Sequence, residues 1–178
     1  MFFYRTSFSY TNEMNNTIVV YASRHGTTKE YARKLLKLLD GNVDLCSLDE
    51  RANSMPDLSD YNTIVIGGSI HYGKNSKLVL NFANDNIDLL KTKRLGLFVT
   101  SHFDGEKAME QLRNAYPREL LERALVVNYF DGELLFPKMN FIEKMVAKLV
   151  LKADEIKPII SKPKITDFAN KLNELYEV

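Results

Sequence analysis

The chain has 178 residues, 45% hydrophobic and 26% charged, with a formal net charge of +1. That length suits one domain with a core of its own. The near-zero charge speaks against a nucleic-acid surface, which needs a basic face, and against a strongly acidic docking face. A single cysteine, Cys46, rules out an internal disulfide and fits a reducing, cytoplasmic setting. No run approaches the roughly 18 apolar residues of a membrane span.

Residues 1–13, MFFYRTSFSYTNE, lack the continuous apolar core of a signal peptide. They read as a disordered extension, leaving 14–178 as one domain. Thr17 to Ala22, TIVVYA, is a short β-branched run and reads as a buried strand. After Gly26, Ala32, Leu35, Leu36 and Leu39 recur at helical spacing up to a stop at Asp40-Gly41. Val43 to Leu48 reads as a second strand, with Cys46 as a small core residue within it. Tyr61 to Gly67, YNTIVIG, reads as a third. Leu78, Val79, Phe82 and Ala83 then mark a helix capped by Asn75 or Ser76. Leu95 to Thr100 is the fourth strand. Asp104 can cap a helix through Ala108, Met109 and Leu112, and Pro117 starts a short one. Ala124 to Phe130 is the fifth strand, and a last helix begins at about Thr166. Strands alternating with helices imply right-handed crossovers and a parallel sheet covered on both faces. Five strands fit a doubly wound α/β sheet in the order 2-1-3-4-5, with ligands bound beyond the strand ends at the switch point between the first and third strands.

Three loops carry chemistry. Ser23-Arg24-His25-Gly26-Thr27-Thr28 joins the first strand to its helix. Gly26 permits a tight turn, the hydroxyls can donate, and the helix start favours an anion; an ordinary turn capped by threonines is the alternative. No Gly-Lys-Ser/Thr follows, so it is not a P-loop, and it is not G-x-G-x-x-G. Gly68 to Lys74, GSIHYGK, offers an aromatic, glycines and polar groups, as a flat heteroaromatic ligand would require. Thr100 to Gly105, TSHFDG, repeats that mixture. The three histidines, His25, His71 and His102, each follow a strand end. No carboxylate pattern accompanies them, so a flavin and phosphate pocket explains the placement more simply than a metal.

The strand-S-R-H-G-T-T-helix sequence resembles the flavodoxin phosphate loop, Ser/Thr-x-Thr-Gly-x-Thr, with His25 in place of the usual Thr. IVIGGSIHYGK and DGELLFPKMNFIEKMVAKLVLK resemble segments of one flavodoxin subgroup, the menaquinone-dependent protoporphyrinogen IX dehydrogenases. The resemblance covers about 17–178. It implies a flavodoxin-like three-layer sandwich binding FMN, with the phosphate on Ser23, Arg24 (backbone), His25, Gly26, Thr27 and Thr28. It places the isoalloxazine against Ser69, Ile70, His71, Tyr72 and Gly73, with Thr100, Ser101 and His102 on the other side. The third set resembles the family only in position and polarity. The implied activity is quinone-coupled oxidation of a porphyrinogen; no acid–base residue stands out, and His71 and Tyr72 are no more than candidates. The alternative is a flavodoxin-type electron carrier with no substrate of its own. A phosphoacceptor receiver of the same topology would need an Asp at the end of the first or third strand, where Ala22-Ser23 and Gly67-Gly68 stand.

Between Phe130 and Thr166 lie about 35 residues, too many for a simple connection. Within this insertion, at about 131–164, Phe141, Ile142, Met145, Val146, Leu149 and Val150 form a helical apolar stripe, and Lys144, Lys148 and Lys152 repeat on another face. Two readings stand open. One is a helix packed on its own domain. The other is a lid or docking surface, for a macrocyclic substrate, a partner or the anionic inner face of a membrane, reached through 138–152.

Overall fold

The computed structural model describes residues 15–50, 55–71, 74–131 and 162–174. Along them run β1 (Asn16–Tyr21), α1 (Thr27–Leu38), β2 (Asn42–Ser47), β3 (Thr63–His71), a two-residue β4 (Lys74–Asn75), α2 (Lys77–Asp85), α3 (Ile87–Leu90), β5 (Arg94–Ser101), α4 (Gly105–Arg113), α5 (Arg118–Arg123), β6 (Val126–Asp131) and α6 (Lys162–Asn173). The long strands pair in parallel in the order β2-β1-β3-β5-β6. Without β4, which pairs antiparallel with the end of β3, this is the 2-1-3-4-5 order.

Alternation along the buried strands builds two cores. Ile18, Val20, Ala22, Ile64, Ile66, Leu97 and Val99 face one side, where they meet Val79, Phe82, Ala108, Leu112 and Leu120 of α2, α4 and α5. Val19, Tyr21, Val65 and Phe98 face the other and meet Tyr31, Ala32 and Leu35 of α1 and Phe168, Ala169 and Leu172 of α6. The result is three layers with the sheet in the middle. Cys46 is buried in the first core, and burial pushes its thiol pKa up, as a core cysteine requires.

Several boundaries move. β3 begins two residues later than expected, because Tyr61 closes a 3-10 turn (Leu58–Asp60) through its amide on Leu58 O. It then continues to His71, four residues past Gly67. β5 runs to Ser101, so Gly68 and Ser69 have strand partners in Val99 and Thr100. β6 starts at Val126 because Ala124 still caps α5. The last helix begins at Lys162, ahead of Thr166. α1 buries Thr28, Tyr31, Ala32 and Leu35, leaving Leu36 exposed, and α2 leaves Leu78 exposed. The extension at 1–13 and the insertion helix with its lysines lie outside the described residues.

Candidate functional site

The site region is set by where β1, β3 and β5 end side by side. The Ala22 amide still donates to Gly67 O at 3.1 Å. The chain then leaves the sheet and turns into α1 through Ser23–Gly26. Gly26 is the N-cap at φ 96, ψ −13, a left-handed conformation that glycine adopts without a Cβ clash. It has no side chain to cap the helix, so Ser23 supplies one from upstream. Ser23 Oγ accepts the Lys29 amide at 3.1 Å. A hydroxyl that accepts there keeps its own proton to donate.

A carboxylate also reaches this turn. Asp49, just after β2, accepts the Ser23 amide on Oδ2 at 2.5 Å. The adjacent Glu50 pairs with Lys29 Nζ at 3.0 Å and holds the lysine pKa above its usual value.

The structure links the first and third segments directly. Thr28 lies inside α1 rather than in the loop, buried, with its Oγ1 3.0 Å from Thr100 Oγ1. Thr100 pairs in register with Ser69 of β3. Thr100 and Ser101 are buried strand residues, not loop residues. Ser101 donates to Gln111 Oε1 at 2.7 Å and accepts the Phe103 amide at 3.0 Å, which starts the turn into α4. Ser69, Ile70 and His71 belong to β3, and Ile70 is buried in the first core. Tyr72 and Gly73 lie outside the described residues. Ser23, Arg24 and His25 occupy the first turn, Thr27 starts α1, and His102 is half-buried after β5. The three histidines therefore stand at the ends of β1, β3 and β5. Among the described residues, no group of His, Cys, Asp and Glu is arranged to hold a metal ion, and no helix is long and apolar enough to cross a membrane.

Beside the third segment, Asp104 stands at the N-cap of α4. Its carboxylate accepts the Tyr129 hydroxyl and Lys164 Nζ, the latter at 3.1 Å. The Tyr129 oxygen accepts the Gly105 amide at 3.0 Å, and Lys164 Nζ lies 3.8 Å from the Tyr129 ring centroid. Hydrogen bonds from Tyr129, the Gly105 backbone and Lys164 pull the Asp104 pKa down to about 2. This network ties the turn after β5 to the end of β6 and the first turn of α6. Phe103, between the two, has Lys107 Nζ 3.8 Å over its ring.

Sequence reading missed Asp49 and the Asp104–Tyr129–Lys164 network. Asp49 carried a signal: strand order 2-1 puts the loop after β2 beside the first turn, and Asp49-Glu50 is the acidic pair in it.

Residues 18–158 match the flavodoxin domain family. A curated relative, the protoporphyrinogen IX dehydrogenase (quinone) of Leishmania major, is 23% identical over 145 residues, 76% of this chain. The chain spans 62% of the length of that relative. Similar solved structures include a rubredoxin oxygen:oxidoreductase of Desulfovibrio gigas, with TM-score 0.46 and 18% identity over 90% of this chain and 37% of that one. Another is a flavoprotein of Lactobacillus acidophilus in complex with FMN, with TM-score 0.44 and 17% identity over 65% of this chain and 93% of that one. With most of its length matched, and with its strands in the order 2-1-3-4-5, the chain belongs to the flavodoxin domain family.

Proposed function

We propose that the chain binds FMN at the ends of β1, β3 and β5 and acts as a quinone-coupled oxidoreductase on a porphyrinogen. The observation that carries the cofactor reading is the first turn. It already receives an anion, the Asp49 carboxylate, on the Ser23 amide, at the start of a helix whose dipole favours negative charge. Ser23, Thr27 and the backbone around Gly26 would hold the phosphate, with Arg24 and His25 beside it. Thr28 and Thr100 hydrogen-bond each other, so their part is to fix α1 against β5 beneath the site. Ser69, His71, Tyr72 and Gly73 would flank one side of the ring system and His102 the other. FMN supplies reversible two-electron chemistry; the protein binds it, orients it and tunes it.

The substrate reading is supported by the similarity to the Leishmania major protoporphyrinogen IX dehydrogenase and by the sequence resemblance of 131–152 to the same subgroup. On this reading the lysine-bearing segment 138–152 meets the anionic membrane face where quinone resides.

The test is an anaerobic assay of FMN-loaded protein with a reduced porphyrinogen and a menaquinone analogue. Porphyrin formation that requires the quinone is the expected result. FMN reduced by a flavodoxin reductase, with no porphyrinogen oxidation, would instead establish the electron-carrier role.

A further inference from the structure

The loop read as the phosphate site is met by two acids from its neighbour. β1 and β2 pair in register from Asn16↔Asn42 to Tyr21↔Ser47, so their following loops leave the sheet side by side. The Leu48 amide donates to Tyr21 O at 2.8 Å, which carries Asp49 to the Ser23 amide. Glu50, next in sequence, pairs with Lys29 Nζ at 3.0 Å and so screens a cation at the start of α1. Asp49 is exposed, and burial places no demand on its charge to find that amide. A neutral acceptor would also satisfy Ser23, through a weaker bond. A charged one also repels any second anion that approaches the same amide.

We infer that Asp49 sets the affinity of the phosphate site. It holds the Ser23 amide while the loop is empty and yields it to the phosphate, so the cofactor binds in competition with an internal carboxylate. This rests on the reading of residues 23–28 as the FMN phosphate loop. The consequence is a cofactor held less tightly through its phosphate than the loop alone would allow, and therefore exchangeable.

The full-length chain, stripped of flavin, is titrated with FMN, riboflavin and inorganic phosphate as the wild type, Asp49→Asn and Asp49→Ala. Asn keeps an acceptor for the Ser23 amide and removes the charge; Ala removes both. Both variants are expected to bind FMN about tenfold more tightly, as removal of a like charge a few ångströms from the phosphate implies. Phosphate binding should strengthen in step, and riboflavin affinity should hold within about twofold, since riboflavin carries no phosphate charge. Unchanged or weaker FMN binding by Asp49→Asn overturns the inference, because it would make Asp49 a plain support for the turn. A wild type that prefers FMN to riboflavin, with no gain in the variants, sinks the inference alone. A wild type with no such preference sinks the phosphate-loop reading as well.

Discussion

Ser23 caps the helix with the same hydroxyl that the proposed function assigns to the FMN phosphate. It accepts the Lys29 amide because Gly26, needed for its positive φ, has no side chain to do so. Ser23→Ala should therefore lower the stability of the flavin-free protein by about 1 kcal/mol, the usual cost of a lost cap. It should also weaken FMN binding at least about tenfold, since a hydrogen bond to a charged group contributes roughly 1.5–3 kcal/mol. Fluorescence titration with FMN and riboflavin separates the effects, because only FMN affinity should fall. Equal loss for both ligands would leave the hydroxyl with the helix alone. Asp104 allows a prediction of opposite character. Its pKa lies at about 2 in the folded chain, below the ordinary range of an aspartate. A depressed carboxylate contributes stability that is present above its unfolded pKa and lost as pH falls through the folded value. A shift of this size corresponds to at most about 2.5 kcal/mol, and exposure to water reduces that to about 1 kcal/mol or less. Asp104→Asn should accordingly be less stable than the wild type at pH 7, with the difference closing between pH of about 4 and about 2. Urea melts across that range provide the check, and a difference independent of pH would show that the Tyr129 and Lys164 contacts act without the charge.

At the scale of elements, the packing of β3 against β5 decides how the strand ends are presented. The Phe98 ring lies across Gly67 so closely that a Cβ there would stand 2.1 Å from its Cζ. That ring belongs to an aromatic cluster, with centroids 5.0 Å from Phe130 and 6.0 Å from Phe168. Gly67→Ala should destabilise the fold by about 3 kcal/mol, the upper range for forced overpacking. In a Phe98→Leu background its cost should drop by at least about 1 kcal/mol, because the two positions share one space. Additive costs in thermal melts would refute that account. Strands and helices were legible because continuous apolar runs and period-3.6 patterns both come from burial, and burial made the elements. The ends of β3 and β5 were not. Gly68-Ser69-Ile70-His71 reads as a loop by composition, yet Gly68 and Ser69 pair with Val99 and Thr100 of β5, and Ile70 and His71 with Asn75 and Lys74 of β4. The Thr28–Thr100 bond was hidden for the same reason: nothing local to α1 announces Thr100, 72 residues away in sequence. Asp49 and Lys164 act across strand order and across the insertion, distances that no local pattern spans.

For the molecule as a whole, the doubly wound sheet brings three turns from distant parts of the chain to one edge. Hydrogen bonds tie two of these turns to other parts of the chain, Ser23 to the loop after β2 and Asp104 to β6 and α6, and Thr100, within β5 itself, bonds to α1. Ligand sites gather at such an edge because the strand ends there diverge to opposite faces of the sheet. α6 closes the second core and places Lys164 beside Asp104 and Asp131, so the end of β6 and the first turn of α6 lie next to the turn after β5. The central claim is that this edge holds FMN, and identification of the ligand tests it most directly. Purified protein, reconstituted with flavins and washed, is denatured, and the released small molecule is identified by mass spectrometry. The account predicts FMN, released intact and without covalent attachment; FAD, or no flavin after reconstitution, would contradict it.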